Sequence, residues 1–224
     1  MTDDTAAPAR ALAGPPRRRR RPVLVAGLIV LVLALAGLGW SVYDVVLRPP
    51  VDPGEAARSV STLRESWAVG QDTVPDPLSS RAVAVVTIPA LGAAEWPVVV
   101  GADPTSLTRG LGWYPGTAAP GELGNFALAG QGGIAGPLAG LSRLVTGDQI
   151  VVETATRRFT YRIDSDPGVA TVNRADTWVI QPVPGRPEVK PTVARLTLTT
   201  AQDLVGSDAR TVASATLAAT DEKS

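Results

Sequence analysis

Side chains able to do chemistry cluster near the end of the chain, in Val193 to Leu217 (VARLTLTTAQDLVGSDARTVASATL). This stretch brings hydroxyls, carboxylates and a guanidinium together: Thr197, Thr199, Thr200, Asp203, Asp208 and Arg210. The whole chain contains no cysteine and no histidine. Thiol nucleophiles and disulfides are therefore excluded, as are imidazole bases and the commonest zinc ligands. A nucleophile built here would have to be Thr199 or Thr200. A threonine hydroxyl needs an adjacent base, and Asp203 and Asp208, with an ordinary pKa of about 4, are weak ones. Buried strand threonines are most often structural. Arg210 has two readings: a strand-edge ion pair, for instance with Asp208, or a clamp for a carbonyl or carboxylate.

The elements that must position these groups are two strands and a turn. From Ala194 the chain alternates, with Leu196, Leu198 and Thr200 on one face and Thr197, Thr199 and Ala201 on the other. Gln202 to Ala209 holds the turn formers Asp203, Gly206, Ser207 and Asp208. Alternation resumes from Arg210 to Leu217. An antiparallel return of that length brings Arg210 back beside Ala201.

Upstream, short strands follow one another with almost no helix. The pattern predicts strands at Ala82–Ile88, Trp96–Val100, Gly124–Gly130, Gln149–Thr154, Arg158–Ile163 and Thr177–Gln181. Pro104–Gly112 and Leu138–Leu144 read as short helical turns, and the Pro-rich 182–191 as a surface loop. With the last two strands this makes eight, a spacing that suits a closed barrel or a sandwich.

The N-terminal region has a different composition. In a chain of 224 residues with no net charge, residues 1–47 carry a net +3 and the remainder a net −3. Neither part has the broad basic surface of a nucleic-acid binder. Arg17 to Arg21 abut an apolar run, Val23 to Val46, long enough for a bilayer core at about 20 residues. Arginines on that side predict a cytoplasmic N-terminus, and Trp40 and Tyr43 fall where an interfacial belt belongs. The expected organisation is a basic cytoplasmic tail (1–21), a single transmembrane helix (22–47), an extracytoplasmic stalk or linker (48–80), a β domain (81–218) and a frayed tail (219–224). A cleaved signal peptide ending near Ala34-Leu35-Ala36 is the competing reading. Gly54 to Val69 places Ala57, Val60, Leu63 and Trp67 at helical spacing. The segment either packs on the domain or serves as a stalk.

Five segments, in order, resemble the sortases, cysteine transpeptidases that attach proteins to Gram-positive cell surfaces. They are VVTIPALGAAEWPVVVG, LGWYPGTAAPGELGNFALAG, LVTGDQIVVETATRRFTYRI, TWVIQPVP and Thr197-Leu198-Thr199-Thr200-Ala201 followed by Arg210. The Tyr-Pro-Gly-Thr segment is most similar to the class E sortases of actinobacteria. The resemblance implies an all-β, eight-stranded sortase-type barrel behind one N-terminal anchor. It also implies a correspondence of sites: Gln131, after Leu128-Ala129-Gly130, stands where the family has its histidine. Ala201 stands at the cysteine position and Arg210 at the arginine.

The neighbouring residues, GGIAG after Gln131 and Gln-Asp-Leu after Ala201, also depart from the family pattern, which reads as natural divergence. Ala201 offers a methyl group where sulfur is needed, and Gln131 exchanges hydrogen bonds but no proton near neutrality. The expectation is a pseudo-transpeptidase needing no metal or cofactor. Its Arg210, Thr199, Thr200 and Gln131 would contact a sorting-signal-like peptide of Leu-Ala-x-Thr-Gly kind. The alternatives are a scaffold for the surface-anchoring machinery, with an active sortase as partner, and a hydrolase using Thr or Asp. Trp113 and Tyr114 either line the peptide groove or pack beneath the barrel rim.

Overall fold

The structure is a computed structural model that describes residues 31–36, 51–70, 82–132, 136–165, 168–173, 175–201 and 209–223. The chain divides into two units, Met1–Val45 and Val46–Ser224. In the first, residues 31–36 are helical, and Leu31, Val32, Leu33 and Leu35 are exposed. The rest of the expected anchor, the basic tail and the linker 71–81 lie outside the described residues. Among the described residues no helix is long and apolar enough to cross a membrane.

In the second unit the elements are α1 (Pro53–Ala68), β1 (Ala82–Thr87), β2 (Glu95–Val100), α2 (Pro104–Leu107), β3 (Leu111–Trp113), β4 (Gly124–Gly130), β5 (Gln149–Glu153), β6 (Arg157–Ile163), β7 (Val169–Asn173), β8 (Ala194–Ala201) and β9 (Ala209–Glu222). Eight strands close a ring in the order β6-β5-β1-β2-β3-β4-β8-β9, and β9 returns to β6. β7 joins β9 as a ninth strand. β2 with β3 and β4 with β8 run parallel; every other pairing is antiparallel.

Alternation fills the interior. Val86, Val98, Leu111, Phe126, Leu128, Ile150, Leu196 and Leu198 meet in one apolar core. Tyr161 is buried among them, and its oxygen accepts the Gly121 N–H at 2.7 Å. Burial pushes its phenol up to about 12, because the charged form has no water to solvate it.

Four sequence expectations are corrected. Thr177–Ile180 forms one 3-10 turn, not a strand. Asn125 Nδ2 donates to the carbonyls of Val179 and Gln181 at 2.9 and 3.1 Å, so this turn lies across the outer face of β4 and forms no ladder. Its place in the ring is taken by β3, which overlaps the end of the expected helical turn Pro104–Gly112 and runs on into Trp113. The expected tail continues β9: Ala219, Thr220, Asp221 and Glu222 pair with Thr160, Phe159, Arg158 and Arg157. β7 falls where the sequence pattern predicts no strand.

The helix expected near Gly54–Val69 is α1, capped by Asp52, whose carboxylate accepts the Gly54 N–H at 2.8 Å. It packs on the barrel. Val60 and Leu63 bury against Ala82 and Val85, with Trp67 beside them. Ala56, not the expected Ala57, completes the buried stripe. Arg64 holds Glu95 through two hydrogen bonds (2.8 and 2.7 Å) and Glu153 through a third at 2.8 Å. Lys223 reaches Glu153 from β9's end at 2.6 Å and lies 4.5 Å over the Trp67 ring.

Candidate functional site

The register of three adjacent strands assembles the site. β4 and β8 pair without a break from Gly124 with Ala194 to Gly130 with Thr200. Gln131 and Ala201 are the residues that directly follow this last pair. Across the antiparallel β8–β9 pair, Ala201 is opposite Arg210. The three positions singled out by resemblance therefore occupy neighbouring stations at one end of the barrel. The turn between β8 and β9, with Asp203 and Asp208, lies outside the described residues.

Gly130 ends β4 because nothing larger fits. A Cβ there would stand 2.6 Å from Leu138 Cγ and 2.7 Å from Leu111 Cδ2. The next residue, Gln131, leaves the strand. Its Nε2 donates to the Leu107 carbonyl at 3.3 Å, and its own carbonyl accepts the Leu138 N–H at 3.1 Å. The amide thus ties the end of β4 to the end of α2.

Tyr114 follows β3 and donates its N–H to Ala127 at 3.0 Å, which steers its side chain across β4 toward β8. Its hydroxyl lies 3.0 Å from Thr199 Oγ1 and accepts from Arg210 Nη1 at 3.2 Å. Thr199, Tyr114 and Arg210 form one hydrogen-bonded chain, with Thr199 buried and the other two partly open to solvent. Thr200 is buried at the neighbouring station, between Gly130 and Thr211. Trp113 takes the packing role, edge-on to Phe126 at 5.6 Å with its Nε1 donating to Thr117 at 2.9 Å. Tyr114 instead extends its hydroxyl to Thr199 and Arg210.

Among the described residues the arrangement supplies donors, and Thr199 meets no carboxylate or imidazole base. Thr199 Oγ1 meets the Tyr114 phenol and, at 3.4 Å, the Leu128 carbonyl. Neither is the carboxylate or imidazole that a threonine nucleophile needs. The guanidinium, the phenol and the Gln131 amide instead suit the carbonyls or terminal carboxylate of an extended peptide. Among the described residues no group of three or more Asp or Glu stands close enough to hold a metal ion.

The buried support of the site escapes sequence reading. Thr197 Oγ1 donates to Asn125 Oδ1 at 2.8 Å, and Asn125 carries the 177–181 turn. Asn125 sits within an otherwise apolar strand, GNFALAG, and that is its only signal.

A closed eight-stranded barrel, with its donors gathered where two parallel strands meet a return strand, defines a sortase-type fold. A sortase domain family model matches residues 86–218, and the chain belongs to this family. Within the family it is class E-like. Sortase SrtE1 of Streptomyces coelicolor is 30% identical over 185 residues, which cover 79% of this chain and 50% of the relative. The chain thus spans about half the length of that curated relative. Sortase E of Streptomyces avermitilis superposes with a TM-score of 0.55 at 34% identity, covering 64% of this chain and 91% of the other. The SrtF sortase of Corynebacterium diphtheriae gives 0.62 at 26%, covering 68% and 91%. Sortase E1 of Streptomyces coelicolor, crystallised with a tripeptide in its active site, gives 0.56 at 27%, covering 64% and 91%.

Proposed function

We propose that this chain is a membrane-anchored, extracytoplasmic sortase-family protein that has lost cysteine transpeptidase chemistry and binds an extended, sorting-signal-like peptide. One observation carries the reading. Ala201 pairs with Arg210, and Gln131 follows Gly130, the partner of Thr200, in a chain with neither cysteine nor histidine. Acyl transfer by this family's route needs a thiolate to attack and an imidazole to move the proton. A methyl and an amide do neither. What persists is recognition chemistry: a guanidinium and a phenol that can hold a peptide carbonyl. A related sortase E1 has been crystallised with a tripeptide in its active site. The membrane part rests on Arg17–Arg21 followed by the apolar run Val23–Val46.

The test uses the full chain in nanodiscs with a Leu-Ala-x-Thr-Gly peptide, followed by NMR of the labelled protein and mass spectrometry of the peptide. The reading expects saturable shifts at Thr200 and Arg210, an intact peptide, and about tenfold weaker binding in Arg210→Ala, for one charge-assisted hydrogen bond. An absence of shifts at millimolar peptide would move the role to a scaffold in the surface-anchoring machinery. New peptide fragments that vanish on denaturation would sink the claim of lost chemistry, and their loss in Thr199→Val or Thr200→Val would assign the cleavage to a threonine.

A further inference from the structure

A second concave site lies toward the other end of the strands, where β1 begins, β5 turns into β6 and α1 ends. It is a cavity of about 290 Å³. Trp67, Trp113 and Phe159 supply aromatic walls, Val83 and Pro120 apolar ones, and Arg157 a cation. The peptide reading does not use it, and it shares no residue with Gln131, Arg210 or Tyr114.

The walls are held in place from outside. Trp67 is fixed by α1 and by Lys223 over its ring. The turn from Thr154 to Arg157 is fixed by Lys223, whose N–H donates to Thr156 O at 2.8 Å and whose Nζ donates to Thr154 O at 3.1 Å. Phe159 presses on Gly121, where a Cβ would lie 2.2 Å from the ring. Apolar cavities of about 150 Å³ take up benzene, so this volume has room for a two-ring molecule. Three aromatic side chains around it favour a flat guest through edge and offset contacts.

The cation sets the guest's charge. Arg157 faces Glu222 at 3.3 Å, in a pair whose side chains are 54% and 79% exposed. Such a pair contributes little, and a ligand carboxylate can replace Glu222 on the guanidinium fork. The neighbouring Glu153 is already held by Arg64 and Lys223, and so it does not compete for Arg157. We propose that this cavity binds a small aromatic carboxylate, its rings against Trp67, Trp113 and Phe159 and its carboxylate on Arg157.

The probe is a fluorinated naphthoate, read by fluorine NMR with the full chain in nanodiscs and empty nanodiscs as reference. A saturable, protein-dependent shift is expected. Ala155→Trp, which fills the cavity from the β5–β6 turn, should abolish it. Arg157→Gln should weaken naphthoate about tenfold, while binding of the neutral fluorinated naphthalenemethanol stays unchanged. No protein-dependent shift, or wild-type binding in Ala155→Trp, would overturn the site. Equal effects of Arg157→Gln on the charged and neutral probes would overturn the carboxylate assignment, even if the tryptophan variant fails to fold.

Discussion

The Tyr114 hydroxyl joins Thr199 and Arg210, which lie 85 and 96 residues further along the chain. Replacing Tyr114 by Phe keeps the ring and deletes the joint. Thr199, buried, loses a partner, and Arg210 loses its hold. We expect about 1–2 kcal/mol lower stability by urea unfolding, together with weaker peptide binding. A Tyr114→Phe protein as stable as the parent would show that the hydroxyl chain contributes nothing. Gly130→Ala should cost about 1–3 kcal/mol, because the new methyl meets Leu138 and Leu111 with no room to yield. Part of this site is legible in the sequence. The pairing of Ala201 with Arg210 follows from the length of the turn between two alternating runs. The Tyr114 contacts do not, since they depend on how β3 and β8 flank β4, and no single strand's pattern records its neighbours.

Among the elements, α1 is the one whose role the sequence leaves open. Its periodicity predicts a helix; only the structure reveals the surface it covers. Leu63 is 5% exposed in that contact, and Leu63→Ala should cost about 2–4 kcal/mol. Hydrogen exchange should then rise in α1 and β1 before the rest of the barrel; a uniform rise would contradict local docking.

The α1 clamp also predicts a pH dependence. Burial alone would raise the Glu153 carboxyl, but hydrogen bonds from Lys223 and Arg64 outweigh it and hold the group below its ordinary 4.5. The unfolded chain then binds the proton more readily, so the stabilisation is complete above about 4.5 and is lost as pH falls through the lower folded value. Urea midpoints should converge for wild type and Glu153→Gln on acidification from neutrality, and parallel curves would exclude this origin.

Where the elements were misread, the cause is the shortness of the segments. β3 has three residues, too few for any period. In β7 no residue is fully buried, so inside and outside are not distinguished. The apolar Trp178-Val179-Ile180 fits a strand or a turn equally well until Asn125 is known to hold its carbonyls.

At the scale of the whole molecule, β9 is the common partner. It pairs with β8 and β7 along its first half and with β6 along its second. Deleting residues 218–224 removes the pairs opposite Arg157 to Thr160 and the Lys223 contacts together. The melting temperature should fall by about 5–15 °C, and an unchanged value would restore the reading of a frayed tail. The eight-stranded closure follows from family resemblance, since the strand count reaches eight only by including Thr177–Gln181 and omitting β3; its last seam is invisible in the sequence, because Ala218 to Glu222 reads as small, polar and terminal. That seam also dictates timing. A nascent chain emerges N-terminus first, so β6 waits with an unsatisfied edge until β9 has emerged. Contacts so distant in sequence make folding slow, and the open barrel stays prone to aggregation meanwhile. Until β9 closes that seam, the free edge of β6 offers its unpaired backbone groups to any other extended chain.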